Sequence, residues 1–435
     1  MRFLRVQIVA VVCGCGGNAG HLPDAGAPAD TGAAPPVTLT VTRNAQPVMG
    51  VHVYFLNPDD TVAAKIDTDT TGNASAVVAD GGSVTVLDPF APAQPDPART
   101  LELRTYVGVK AGDHLVMSQP DKTPIDVTIK APLLSGRHSY DVLTTCGTTS
   151  LSSADASGSV TLSGCQGIAD ILVIARGIGA TDMFSLYRAG VAVADGGTVD
   201  LTADTFVPLR DATFHCSHLP SDATGMSIFH GFVTEHGMVG FNNVVFDGGT
   251  RTIQQGEATV TFQVPDIAAA ANVTALIDFT IDQHTHHVVT ERRPLAASFD
   301  LDVSGLLLPD RSGGAVYDAA NRRLVWTDAP GGVAPDLDLG ILAVTPALTR
   351  AAAPTQPWNW QVLAPHSGAA LRLPALPADV NSWVPAAGDT VRADVVALKV
   401  PGGYDAIRSR VYDQAALDSF ERQLGPGERI LKTEN

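Results

Sequence analysis

The sequence has 435 residues, of which 45% are hydrophobic and 17% charged, and its formal net charge is −17. This composition supports buried cores and argues against a wholly disordered chain, and the length suits about three domains. The negative charge disfavours nucleic acid and anionic membrane surfaces as partners, and no apolar run approaches the roughly 18 residues needed to span a bilayer.

The first residues have the order of an export signal. Two arginines precede a short apolar run, which ends in Val12-Cys13-Gly14-Cys15. This order resembles the signal of bacterial lipoproteins, in which a small residue precedes the cysteine that is acylated before cleavage. The resemblance implies that Cys15 carries lipid and that residues 1–15 are the signal peptide with its lipidated cysteine. The alternative is a secretory signal of another kind.

Residues 16–36 have the composition of a flexible linker. They are almost wholly Gly, Ala, Pro, Asp, Thr and Asn, with too little apolar surface to offset the entropy of ordering. No aspartate directly follows Cys15, which in the lipoprotein resemblance favours the outer membrane over the inner one. The predicted localisation is therefore the cell envelope, with lipid anchoring to the outer membrane and either a periplasmic or a surface-exposed body.

Period-two alternation begins at Val37, where apolar residues alternate with three threonines and indicate a half-buried strand. Two later stretches, Pro47-Val48-Met49-Gly50-Val51-His52-Val53 and Asp67-Thr68-Asp69-Thr70-Thr71-Gly72-Asn73-Ala74, resemble the carboxypeptidase regulatory-like, transthyretin-like β-sandwich. The resemblance covers residues 37–86 and implies an accessory fold without catalysis. We predict such a sandwich over residues 37–134.

The stretch from Asp67 to Gly72 also resembles the start of a calcium loop, because oxygen-bearing residues alternate before a glycine at the sixth position. Val78 occupies the twelfth position, where an EF-hand needs a bidentate glutamate, so an EF-hand is excluded. The stretch is then either a calcium ligand set of another kind or a turn between strands.

Residues 135–303 contain short strand-like runs bounded by Gly, Asp and Ser, with almost no helical periodicity. They predict β-sandwiches over residues 135–217 and 218–303, or a single unit over both. The run Ala194-Asp195-Gly196-Gly197 echoes Ala79-Asp80-Gly81-Gly82. The echo indicates either related sandwiches or a hairpin turn that is common in itself.

Three cysteines follow the signal. Cys146 and Cys165 bracket a segment rich in Ser, Gly and Thr, which predicts a disulfide outside the cytoplasm that contributes about 3 kcal/mol. Cys216 is then either a buried free thiol or the true partner of one of the other two.

Histidines concentrate in the same region, with seven of the twelve between His215 and His287. His284 and His286 project to one face of a strand, and such a pair can chelate Zn or Cu. The alternative is a set of surface or hydrogen-bonded histidines.

Residues 304–435 resemble a fibronectin type III-like sandwich, through Trp326 and the strand Trp358-Asn359-Trp360. Trp358 and Trp360 share a strand face and either stack on sugar rings or pack in the core, and core packing is favoured. Apolar residues three and four apart predict one helix from Tyr404 to Leu424, which ends at Gly425-Pro426-Gly427.

The predicted fold class is all-β, with tandem immunoglobulin-like or transthyretin-like sandwiches and one C-terminal helix. Motifs of common enzymes are absent, and Asp336 and Asp338 are interpreted as a solvated loop. The favoured function is non-catalytic adhesion, surface structure or ligand binding, with outer-membrane lipid and a surface glycan or protein as partners. The alternatives are an envelope metal-binding protein that uses residues 215–287, and a polysaccharide or peptide hydrolase or its accessory domain.

Overall fold

The computed structural model describes residues 34–44, 46–91, 98–119, 123–165, 167–177, 183–221, 223–241, 255–265, 267, 272–281, 285–294, 296–311, 313–348, 354–408, 411–412 and 424–434. Their regular structure consists almost entirely of strands, which confirms the all-β class. The strands lie in the unit Pro35–Asn435. Among the described residues, no helix is long and apolar enough to cross a membrane.

The first part of the chain, here called module 1, is a two-layer sandwich. Its strands are β1 Val37–Arg43, β2 Gln46–Pro47, β3 His52–Leu56, β4 Val62–Asp67, β5 Asn73–Ala76, β6 Gly82–Leu87, β7 Leu101–Val109 and β8 His114–Gln119. As the alternation predicts, Val37, Leu39 and Val41 of β1 are fully buried. One layer is the sheet β5-β1-β8, with β1 and β8 parallel, and the other is β4-β3-β6-β7.

Two further sandwiches follow. Module 2 contains β9 Pro124–Lys130, β10 Ser139–Thr144, β11 Gly147–Leu151, β12 Ser157–Ser163, β13 Ile168–Arg176, β14 Met183–Ala192, β15 Thr198–Asp200 and β16 Val207–Pro208. Module 3 contains β17 Arg210–Ser217, β18 Ala223–Thr234, β19 Gly237–Phe241, β20 Ala258–Val264, β21 Asn272–Ile281, β22 Thr285–Arg293 and β23 Ser298–Asp302.

The three modules share one strand order once the two-residue strands β2 and β16 are set aside. In each module the first strand pairs antiparallel with the fourth and parallel with the seventh. The third, second, fifth and sixth strands form the facing sheet in that order. Because this order is unchanged from module to module, the chain contains one sandwich topology three times.

The echoed Asp-Gly-Gly turn does not mark this repetition. It joins the fourth and fifth strands in module 1 but the sixth and seventh strands in module 2. Gly81 and Gly196 adopt positive φ angles of 87° and 69°, a conformation that favours glycine. The same local turn chemistry therefore recurs at positions that are not equivalent.

The remainder of the chain, residues 304–434, is here called the C-terminal segment. Its elements are β24 Val316–Asp318, β25 Arg323–Val325, β26 Leu337–Thr345, β27 Trp358–Pro365, β28 Ala370–Arg372, a 3-10 turn at Asn381–Trp383, β29 Thr390–Lys399, the helix α1 Gly403–Arg408, β30 Val411–Tyr412 and β31 Arg429–Glu434. Strands β24, β25 and β28 form a small separate sheet. Strands β27, β26, β29 and β31 pair side by side in that order.

These four strands connect module 1 to module 3. Strand β27 pairs parallel with β7, and β31 pairs antiparallel with β22. The result is one sheet of twelve strands in the order β4-β3-β6-β7-β27-β26-β29-β31-β22-β21-β18-β19. Strands β24, β25 and β28 pack against β26, β27 and β29 through one apolar cluster, so the C-terminal segment has two facing sheets, and the larger one continues into modules 1 and 3. The fibronectin type III-like sandwich over residues 304–435 stays a prediction.

The strand pairings place the boundaries between modules at other residues than the predicted 134 and 217. Strand β9 lies before the predicted boundary at residue 134 but pairs with β12 and β15, so it belongs to module 2. Strand β17 lies before the boundary at residue 217 but pairs with β20 and β23 of module 3. Residues 135–303 are thus parts of two sandwiches. Periodicity identifies strands, but their partners are chosen by distant parts of the chain.

The predicted helix from Tyr404 to Leu424 is too long. Helix α1 ends at Arg408, and Val411 pairs with Val116 of β8 in a parallel strand. The hydroxyl of Tyr404 donates to the carbonyl oxygen of Val107, and Arg408 Nη1 donates to Gly108 O at 2.8 Å. These contacts fix the short helix against module 1, and tertiary pairing outweighs helical periodicity beyond it. Residues 413–423 lie outside the described residues.

Replacing Gly82 with alanine should destabilise module 1. A Cβ at this position would overlap the backbone oxygen of Leu56 and Val78 Cγ1, and relieving such overpacking costs about 1–3 kcal/mol. Gly158→Ala is the matched control, because the nearest atom to its added Cβ is 3.4 Å away. Thermal unfolding should show a clearly lower Tm for Gly82→Ala. Equal Tm values in the two variants would contradict this packing.

Candidate functional site

The tryptophan pair considered for sugar stacking lies in the core. Trp358 is 0% and Trp360 1% exposed, and the indole N–H of Trp360 donates to Thr105 Oγ1 at 2.9 Å. The ring of Trp383 meets that of Trp358 edge-on, with centroids 6.4 Å apart. These side chains therefore pack between layers, as the favoured alternative held, and offer no face to a glycan.

Cys146 and Cys165 form a disulfide, with Cα atoms 5.4 Å apart. The bond joins the turn between β10 and β11 to the chain after β12, and so links the two layers of module 2. Cys216 is a free thiol with no exposed surface, in the core of module 3. Burial, and then the nearby charge of Asp302, raise the pKa of this thiol to about 12.

Cys216 should therefore be inert in the folded protein. Because its pKa lies far above 8, almost none of it is thiolate at that pH, and thiolate is the form that reacts. Of Cys146, Cys165 and Cys216, iodoacetamide at pH 8 should label none in the folded protein. In urea without reductant it should label Cys216 alone. Labelling of Cys216 before unfolding would contradict the burial, and labelling of three cysteines in urea would contradict the disulfide.

Several histidines lie beside aspartates. Among the described residues, five lie within 3.5 Å of an aspartate oxygen, in the pairs His52–Asp67, His215–Asp300, His218–Asp302, His236–Asp170 and His366–Asp338. His286 lies in β22 opposite Thr280 and Glu434, and His284 lies outside the described residues. Within the described part of the chain, no three His, Cys, Asp or Glu side chains are grouped to hold a metal. The Zn or Cu site at His284 and His286 stays a prediction.

The calcium-like stretch forms a tight turn. Asp69 Oδ1 accepts hydrogen bonds from Thr71 N at 2.8 Å, Thr71 Oγ1 at 2.6 Å and Asn73 N at 3.0 Å, and Gly72 has a φ of 75°. The hydrogen bonds from Thr71 and Asn73 lower the pKa of Asp69. The stretch thus forms a turn in which Asp69 Oδ1 accepts from its own loop, and calcium binding there stays a prediction.

A buried charge cluster lies where the sequence indicated a solvated loop. Asp338 is 1% exposed in β26. It accepts from Arg311 Nη2 at 2.7 Å and faces His366 Nδ1 at 2.8 Å. Arg311 Nε also donates to Asp328 at 3.1 Å. Both oxygens of Asp338 are thereby occupied, and the cluster ties together the chain after β23, the chain after β25, β26 and the chain after β27.

The interpretation of Asp338 as solvated was wrong for an identifiable reason. The residue stands in the run Leu337-Asp338-Leu339-Gly340-Ile341-Leu342, and a charge inside such an apolar run is a signal of a buried, paired group. Asp336 differs, because it is less buried and accepts from Lys399 Nζ at 3.2 Å and from Val400 N at 3.0 Å. The two carboxylates therefore have separate partners.

Arg311→Met should strongly destabilise the protein, because it leaves the buried Asp338 without its cationic partner. Breaking a buried pair on one side costs about 3–5 kcal/mol. Arg323→Met is the matched control: its ion pair with Asp318 spans 3.0 Å, its side chain is 46% exposed, and such pairs contribute about 0–1 kcal/mol. Urea unfolding should give a much lower midpoint for Arg311→Met alone. Similar midpoints would show that the cluster is not stabilising.

A second buried carboxylate lies between modules 2 and 3. Asp170 of β13 is 1% exposed, and its Oδ1 accepts from Gly190 N at 2.6 Å and lies 2.9 Å from His236 Nδ1. Burial raises the pKa of Asp170, but hydrogen bonds from Thr234, Gly190 and His236 outweigh burial and hold the pKa below its usual value. His236 falls in the histidine-rich stretch between His215 and His287, but the sequence did not identify this partner.

No protein-family model matches the chain, and no curated protein matches it. The solved structures similar to it at low identity include the following three. The Bacillus anthracis TIE protein is 10% identical with a TM-score of 0.15, over 62% of this chain and 50% of that one, so the chain spans half the length of that protein. A DUF3823 family protein from Bacteroides ovatus is 13% identical with a TM-score of 0.13, over 40% and 100%. The streptococcal ancillary pilin is 8% identical with a TM-score of 0.14, over 69% and 97%.

Proposed function

We propose that the protein is a non-catalytic cell-envelope lipoprotein whose three modules form a scaffold for adhesion or surface display. The observation that supports this proposal is the arrangement of the three modules and the C-terminal segment. One sandwich topology occurs three times, and the C-terminal segment connects the first and third copies in a twelve-stranded sheet. Such an arrangement supplies a large, stiff surface.

The buried ionisable groups support a structural role. Asp338 pairs with Arg311 across separate parts of the chain. Arg408 of α1 pairs with Asp113 of module 1 at 2.8 Å, and Glu291 of module 3 pairs with Arg429 of β31 at 2.9 Å. Each carboxylate is neutralised by an arginine from another element, so these groups act as ties between elements.

Lipid at Cys15 would hold the three modules and the C-terminal segment at the outer membrane. Cys15 lies outside the described residues, and the proposal rests on its resemblance to the lipoprotein signal. Residues 16–36 would then act as the spacer between the anchor and β1. The ligand would be a glycan or protein of another surface, bound by the exposed faces of the modules.

The test uses whole bacteria that carry the full-length chain as wild type, Cys15→Ala or Cys13→Ala. Labelled palmitate should enter the wild type and Cys13→Ala, which retains the acylated position, and it should be absent from Cys15→Ala. Label in Cys15→Ala would disprove the anchor.

The same cells should be applied to arrays of surface glycans and extracellular proteins. Wild-type cells should be retained on at least one surface, and Cys15→Ala cells should be lost from it. Turnover of a polysaccharide or peptide by the purified chain would favour the hydrolase alternative. Absence of retention on every surface would contradict adhesion and leave surface structure as the role.

A further inference from the structure

A small surface pocket, here called the Arg372 pocket, lies where module 1 meets the small sheet of the C-terminal segment. Module 1 lines it with Pro58 and Asp60 of the β3–β4 turn and with Val107 of β7. The C-terminal segment lines it with Arg372 of β28 and with Pro374. The volume of about 40 Å³ is room for about three water molecules. The pocket therefore accepts one functional group of a larger partner and is too small for a sugar ring.

Two arginines converge on one carboxylate at this pocket. Asp60 Oδ2 accepts from Arg372 Nη2, and it also accepts from Arg322 Nη2 at 3.4 Å. The side chains of Arg372 and Arg322 are 55% and 40% exposed. A guanidinium group stays charged and has five N–H donors, so each arginine can bind a second acceptor. This contact therefore combines two positive charges with one negative charge.

The nearby carboxylates have partners of their own. Asp318 pairs with Arg323 at 3.0 Å, and Arg323 is the cross-strand neighbour of Arg372 in β25 and β28. Asp59 Oδ1 accepts from Thr61 N at 3.0 Å and from Thr61 Oγ1 at 2.6 Å. Arg322 and Arg372 are thus the charged donors that the pocket offers, and the complementary group is an anion.

The walls and the size of the pocket select among acidic groups. Pro58, Val107 and Pro374 present carbon atoms to it. A glutamate side chain has CH₂ groups before its carboxylate, so its stem can contact these walls while its oxygens accept from Arg372. A uronic acid has its carboxylate directly on a ring that exceeds the volume of the pocket. Size and apolar walls therefore favour an acidic protein segment over an acidic glycan.

We propose that the Arg372 pocket binds a glutamate side chain from an extended acidic segment of a partner protein. The inference rests on the proposed adhesion function and specifies its ligand as a protein. Arg372 donates to the incoming carboxylate, with Arg322 beside it. Asp60 competes for the same two guanidinium groups: it holds them in place in the free protein and weakens their attraction for the partner.

Binding of fluorescein-labelled hexaglutamate to the purified full-length chain tests this site by fluorescence anisotropy. Because the chain has a net charge of −17, the measurement uses physiological salt, in which exposed charges more than about 8 Å apart are largely screened. The wild type should bind hexaglutamate and should not bind hexaglutamine. Arg372→Gln should weaken binding about fivefold, as expected for one exposed ion pair. Arg322→Gln should also weaken it, which gives a second test if one variant folds poorly.

Asp60→Asn should have the opposite effect and tighten binding of hexaglutamate. It removes the competing charge from both arginines, and asparagine tolerates the positive φ of 68° at this position. Arg188→Gln is the matched control, because Arg188 is 50% exposed and pairs with Asp204 in module 2. It removes the same charge elsewhere and should leave the affinity unchanged.

Failure of the wild type to bind hexaglutamate would overturn the proposal. Equal weakening in Arg372→Gln and Arg188→Gln, or no tightening in Asp60→Asn, would overturn it as well. Tighter binding of oligogalacturonate than of hexaglutamate would overturn it in favour of an acidic glycan. These results are separate from the retention of whole cells on surfaces, which tests adhesion itself.

Discussion

Backbone hydrogen bonds at sheet edges are the interaction on which the rest of this structure depends. An edge strand leaves N–H and C=O groups unpaired, and such an edge is a site for uncontrolled association. Without the C-terminal segment, β7 of module 1 and β22 of module 3 would each be an edge strand, and β27 and β31 of that segment pair with them. Because β26 and β29 lie between these two strands, the segment satisfies both edges and holds the two modules in one sheet.

Module 2 is stabilised in another way. The C-terminal segment contributes no described strand to it, and the edge of β14 meets the two-residue strand β16. The Cys146–Cys165 disulfide links its two layers, and an apolar cluster with a buried carboxylate joins it to module 3. The same topology is therefore held in place by backbone pairing in two copies and by covalent and side-chain contacts in the third.

Several buried charges lie at the joints between parts of the chain. The pair Arg408–Asp113 joins α1 to module 1, and the pair Glu291–Arg429 joins β31 to β22. Asp338 contacts both Arg311 and His366. A charge inside an apolar region is tolerated when its partner is correctly placed and is costly otherwise. Such pairs therefore favour one arrangement of the joints over alternatives with similar apolar contact.

The sequence by itself determined the local features: alternation in β1 placed Val37, Leu39 and Val41 inward, and glycine turns marked strand ends. Core packing of Trp358 and Trp360 was also predictable, since sandwich cores commonly use tryptophan. Only the tertiary structure decided the module borders, the end of α1 at Arg408 and the burial of Asp338. These depend on which strand or charge becomes a neighbour, and periodicity over a few residues carries no information about partners tens to hundreds of residues away.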